Sequence, residues 1–175
     1  MKKTNLTLLS IAAMFSTSVL AAQANVITFQ GEVTDQTCVV DVNGEEANPL
    51  VLLPTVSTSD LAAAASVAGT TEFDISISGC TAGTATVIDT VFVGNQVNGA
   101  NLGNTGTAGN VDIQILDTKG VAIDFSSNYN GAGDLTLADA TATEATATYK
   151  AQYYATAAST AGTVNASLQY AISYQ

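Results

Sequence analysis

The chain has 175 residues, with four Lys/Arg, fifteen Asp/Glu and no histidine, for a formal net charge of −11. It lacks the basic footprint that nucleic acid or an anionic membrane surface requires of a partner. Without histidine there is no Ser-His-Asp or Cys-His arrangement, and without tryptophan no indole to stack on a sugar, so the composition argues against an enzyme.

Residues 1–24 read as a cleaved signal peptide. Lys2 and Lys3 precede the uncharged run LTLLSIAAMFSTSVL at 6–20, and AQA at 22–24 places cleavage after Ala24. The run is shorter than the roughly 20 apolar residues of a membrane span and is broken by Ser and Thr. The expectation is an exported protein. Removal of 24 residues leaves 151, enough for one domain with a real core. Lys119 and Lys150 then face all fifteen acids, a net charge of −13, which favours solubility and self-repulsion.

The next segment, NVITFQGEVTDQTC at 25–38, alternates Ile27, Phe29, Gly31 and Val33 with polar residues, the pattern of a strand with one apolar face. Gly31 leaves a gap in that face. Cys38 and Cys80 are the two cysteines. An even count in an exported chain favours a disulfide, with free buried thiols or a redox pair as alternatives. Two thiols without histidine make a poor metal site, and the acids show no calcium-loop spacing; no cofactor is expected.

Further along, EFDISISG (72–79), ATVIDTVFVG (85–94), VDIQILD (111–117), VAIDF (121–125) and ATYKAQYYA (147–155) read as strands. In TVNASLQYAISYQ (163–175), Val164, Ala166, Leu168, Tyr170, Ile172 and Tyr174 share one face. Short strands at this spacing, joined by Gly/Asn/Thr turns, predict an antiparallel β-sandwich. DLAAAASVAG (60–69) is expected to form a helical turn or two. The glycine-rich stretch 94–110 has neither the lysine nor the following helix of a phosphate loop and is expected to be an exposed loop.

Both ends of the mature chain are therefore expected to be strands, and the last strand has no Lys, Pro or bulge to protect its outer edge. A spare strand at one end and an open edge at the other suit strand addition between molecules. That symmetry is head-to-tail and does not close, so it builds filaments.

Taken in order, FQGEV before Cys38, ISGC at 77–80, VDIQILDTKGVAI at 111–123, YKAQYYATAASTAGTVNAS and the ending ISYQ resemble the fimbrial (pilus) subunits of the type 1 pilin family, assembled by the chaperone–usher route. The resemblance implies an all-β, incomplete immunoglobulin-like sandwich that lacks its last strand and is completed by a donor strand from another molecule. It implies a donor extension at residues 25–37 and a pilin domain at 38–175. Phe29, Gly31 and Val33 match the alternating groove-filling positions, with Ile27 before them and Asp35 and Thr37 continuing the register. Gly31 matches the position where the groove floor is too shallow for a side chain. Gly162, Leu168, Tyr170, Ile172 and Tyr174 match the C-terminal strand that pairs with the chaperone and then walls the groove. The implied partners are identical or related subunits, a periplasmic chaperone, an outer-membrane usher and, through the fibre, a host or surface receptor. The implied location is the cell-surface fimbria, reached through the periplasm. The alternatives are a minor adaptor or terminating subunit, or a carbohydrate-binding adhesin, although 151 residues leave no room for a separate lectin domain.

Overall fold

The computed structural model describes residues 38–81, 87–131 and 133–174; the extension at 25–37 lies outside them. The described chain forms β1 (Val39–Val42), β2 (Val67–Ser78), β3 (Ile88–Gly94), β4 (Val97–Asn98), β5 (Asn101–Leu102), β6 (Val111–Leu116), β7 (Tyr129–Asn130), β8 (Ala145–Ala155) and β9 (Leu168–Tyr174). No helix occurs among the described residues. One sheet has six strands in the order β1-β2-β8-β6-β5-β4, and the other has three in the order β7-β3-β9. All pairings are antiparallel.

Period-two patterning sets which face is inside. In β2, Phe73, Ile75 and Ile77 are buried; in β6, Val111, Ile113 and Ile115; in β8, Ala147, Tyr149 and Ala151. The β2–β8 ladder sets Phe73 opposite Tyr149 and Ile75 opposite Ala147. Tyr149 stacks on Phe73 at 5.7 Å and meets Phe92 of β3 edge-on at 5.0 Å, so this pair of contacts joins the two sheets. Each such pair adds about 0.5–1.5 kcal/mol beyond area burial. Cys38 and Cys80 are joined in a disulfide that ties the start of β1 to the end of β2.

Three segments depart from expectation. Residues 60–69 are not helical: they form turns before joining β2. Leu61 buries itself against Val111 and Ala155, and Ala65 takes a positive φ while its N–H donates to Ala155 O at 2.8 Å. A ten-residue alanine-rich stretch is too short to offset helix nucleation, so these tertiary contacts decide its path. VAIDF contributes only a bridge between Leu116 and Ala122, with Ile123 and Phe125 buried. The glycine-rich stretch 94–110 is not a free loop. It supplies β4 and β5, buries Asn101 and Leu102, and is clasped to residues 158–165 as described below.

Candidate strand-acceptor groove

The two layers are unequal. Among the described residues, the apolar inner face of six strands meets a facing layer of only three, which leaves part of the core without a described covering strand. The gap lies beside β9, which pairs with β3 from Ile88↔Tyr174 to Gly94↔Leu168 and ends its sheet. The alternation expected for the C-terminal segment holds from Val164 to Ile172, and Ser173 is half-buried as well. Val164, Ala166, Leu168, Tyr170, Ile172 and Tyr174 are half-buried against the core, whereas Asn165, Ser167, Gln169 and Ala171 are exposed.

Residues 48–56 form the opposite wall. Among the described residues, no backbone hydrogen bond joins this extended segment to a neighbouring strand. Val51 and Leu53 turn inward onto the core; Leu50 and Leu52 also border the cleft but stand 73% and 75% exposed. Between the walls lies a cleft of about 680 Å³ floored by Phe73, Ile75, Phe92, Ile113, Ile115 and Ala151, with no charged residue among the described residues of its lining.

An apolar trough between two unpaired backbone edges has one natural guest, an extended strand. Such a strand would pair with β9 on one side and with residues 48–56 on the other, and every second side chain would enter the trough. Each side chain of Val, Ile or Phe size buried there contributes about 1.5–3 kcal/mol, and each strand hydrogen bond about 0.5–1.5 kcal/mol net.

A family model described as "Fimbrial protein" matches residues 27–175. The chain belongs to this family. It is 37% identical over 176 residues to the F17 fimbrial protein of Escherichia coli, covering 96% of this chain and 97% of that protein. It is 35% identical to the major fimbrial subunit SMF-1 of Stenotrophomonas maltophilia, covering 92% of this chain and 99% of that one. Its fold matches the crystal structure of the P pilus rod subunit PapA with a TM-score of 0.61 at 21% identity, covering 78% of this chain and 99% of the other. This fimbrial protein is a structural subunit of a pilus, and its fold is the incomplete immunoglobulin-like sandwich expected from the sequence.

The C-terminal positions singled out in the sequence of this fimbrial subunit fall in three places. Leu168 and Tyr170 line the cleft. Ile172 and Tyr174 continue the same face beyond it, and the Tyr174 hydroxyl accepts a hydrogen bond from the Cys38 N–H at 3.0 Å. That contact, with the Cys38–Cys80 bond, ties the end of β9 to the start of β1 and the end of β2. Gly162 lies outside β9, at a crossing of two backbones: a Cβ there would stand 2.3 Å from Ala108 N and 2.5 Å from Thr107 C. Gly106 makes the reciprocal approach, since a Cβ there would stand 2.1 Å from Thr163 O. The crossing is held by Ala108 N to Thr163 O (3.0 Å), Thr163 N to Thr107 Oγ1 (2.9 Å) and Asn165 N to Asn104 Oδ1 (2.9 Å). It anchors the lead-in to the β9 wall.

Donor positions Ile27, Phe29, Gly31 and Val33 lie outside the described residues. The second wall escaped the sequence reading because PLVLLP at 49–54 is apolar at consecutive positions and shows no period of two. Its signal was the pair of prolines bracketing an uncharged apolar run. The shifted titratable groups lie away from the groove. Burial pushes the Tyr129 hydroxyl up to about 12, with Asp134, Asp117 and Asp89 adding to the rise. Burial also raises Asp134, whose Oδ1 accepts the Thr90 N–H at 2.8 Å.

Proposed function

We propose that the groove of each subunit takes residues 25–37 of a neighbouring copy, so that subunits join head to tail into the fimbria. The observation that carries this reading is the uncharged apolar trough between two unpaired backbone edges. Residues 25–37 suit it: Ile27, Phe29 and Val33 share a face, and Gly31 occupies a position in that register where no side chain enters. Burial of the three apolar side chains would contribute about 5–9 kcal/mol, before the strand hydrogen bonds are counted.

The same groove needs a temporary guest before assembly, because an open apolar edge aggregates. A periplasmic chaperone lending a strand to β9 fills that need, and an outer-membrane usher is the site where a neighbour's extension replaces it. The signal peptide at 1–24 delivers the chain to that compartment. Deletion of residues 25–36 tests the reading. The shortened subunit is expected to bind the chaperone yet fail to add to the subunit ahead of it. Normal fibres from this variant would contradict the assignment.

A further inference from the structure

Asparagine followed by glycine is prone to lose its side-chain amide, because a glycine has no side chain to hinder attack by its own backbone nitrogen. The chain has three such pairs, Asn43-Gly44, Asn98-Gly99 and Asn130-Gly131, and the fold treats them differently. The attacking nitrogen must shed its proton and swing onto Cγ, so an N–H already held in a hydrogen bond is withheld. The Gly44 N–H donates to Asp41 Oδ1 at 2.8 Å, and Asn43 Oδ1 accepts the Asp74 N–H at 2.8 Å. The Gly131 N–H donates to Thr90 O at 2.8 Å, and Gly131 is buried. Gly99 differs. It opens the turn between β4 and β5 with a φ of 61° and is exposed, and among the described residues no hydrogen bond takes its N–H.

Asn98 is exposed as well, and its Nδ2 donates to Asp112 Oδ2 at 2.9 Å. That bond sets the nitrogen that must depart against a buried carboxyl, an acid in place to protonate it. Burial raises Asp112 above its ordinary value, which favours the protonated form this step uses. We propose that Asn98 is a site of self-modification, in which the Gly99 nitrogen, its proton taken by solvent hydroxide, bonds to Asn98 Cγ while the Cγ–Nδ2 bond breaks and ammonia leaves with the Asp112 proton. Water then opens the five-membered imide to aspartate or isoaspartate, and solvent reprotonates Asp112. The net change is uptake of one water and release of one ammonia. The product sets a carboxylate where the amide met Asp112, and the two like charges repel. The hairpin of β4 and β5 pairs Val97 with Leu102, and Leu102 lines the cleft, so the modification loosens that end of the cleft.

The test is timed incubation of the purified protein at neutral pH, folded and in urea, with peptide mapping by mass spectrometry and enzymatic methyl labelling of isoaspartate. In the folded protein Asn98 is expected to convert several-fold faster than Asn43 and Asn130, and in urea the three rates should converge. Conversion of Asn43 or Asn130 as fast as Asn98 in the folded protein overturns the proposal, as does the same ranking in urea. Asp112→Asn keeps an acceptor for the Asn98 amide but has no acidic proton. It should slow conversion of Asn98 in the folded protein and leave the rate in urea unchanged. An equal or faster folded rate overturns the proton transfer from Asp112. Asn98→Asp stands in for the aspartate product and should melt below the parent at neutral pH; equal melting overturns the loosening of the hairpin.

Discussion

Gly162→Ala probes the clasp behind the groove wall. The added methyl would lie 2.3 Å from Ala108 N, 2.5 Å from Thr107 C and 2.7 Å from Ala108 Cα. All three are backbone atoms, so no rotamer change relieves the clash; the two chains must part. Separation puts at risk the bonds Ala108 N to Thr163 O (3.0 Å), Thr163 N to Thr107 Oγ1 (2.9 Å) and Gly109 N to Thr160 Oγ1 (2.8 Å). Three bonds at about 0.5–1.5 kcal/mol each come to about 1.5–4.5 kcal/mol. The stiffer unfolded chain of the alanine variant offsets about 0.4–1 kcal/mol. The expected net loss is about 0.5–4 kcal/mol, centred on about 2, or several degrees in melting temperature at about 2–4 °C per kcal/mol for a domain of this size. Thermal melting followed by circular dichroism measures it, with Ala161→Ser, at an exposed neighbour, as the control. Melting of Gly162→Ala at or above the parent's temperature would refute the close approach of the two backbones.

Other consequences follow from the same geometry. Replacing both Cys38 and Cys80 by serine opens a loop of sequence separation 42 and should cost about 4 kcal/mol in the chain-entropy model. Subunit yield and urea denaturation read the loss, and an unchanged midpoint would exclude a stabilising role. Asp112 is raised above its ordinary value of 3.8 by burial, against the lowering effect of hydrogen bonds from Asn98 and Asn104. A raised carboxyl favours the protonated folded state, so its contribution to stability falls as pH rises through the interval above 3.8. Asp112→Asn, which leaves an oxygen to accept the Asn98 amide now at 2.9 Å, should therefore melt higher than the parent at pH 7. The gain should vanish at about pH 3, below the ordinary carboxylate value. An equal shift at both pH values would rule out the titration argument.

Legibility in the sequence followed locality. The faces of β2, β6, β8 and β9 could be read because alternation is a property of consecutive residues, and the half-buried set from Val164 to Tyr174 is the one the pattern names. The disulfide was readable from the cysteine count and the export signal. The second groove wall was not, since consecutive apolar residues from Leu50 to Leu53 give no period and nothing local says which two turn inward. The glycine-rich stretch misled for a related reason. Its order comes from Asn104 and Thr107 meeting Asn165 and Thr163, partners 61 and 56 positions away, and no local composition signals such a meeting. The alanine-rich segment at 60–69 follows its tether to Ala155 rather than helix propensity.

The central claim is that the extension of one subunit completes the sandwich of another in one register. The direct measurement is hydrogen–deuterium exchange and melting of a subunit lacking residues 1–36, released from its chaperone into a synthetic peptide of residues 25–37. The account predicts a raised melting temperature and protection of amides in β9 and in residues 50–53. It also predicts that a peptide carrying Gly31→Leu gives neither, whereas one carrying Thr28→Val, on the opposite face, gives both. Equal behaviour of the two altered peptides, or protection that spares both walls, would contradict it.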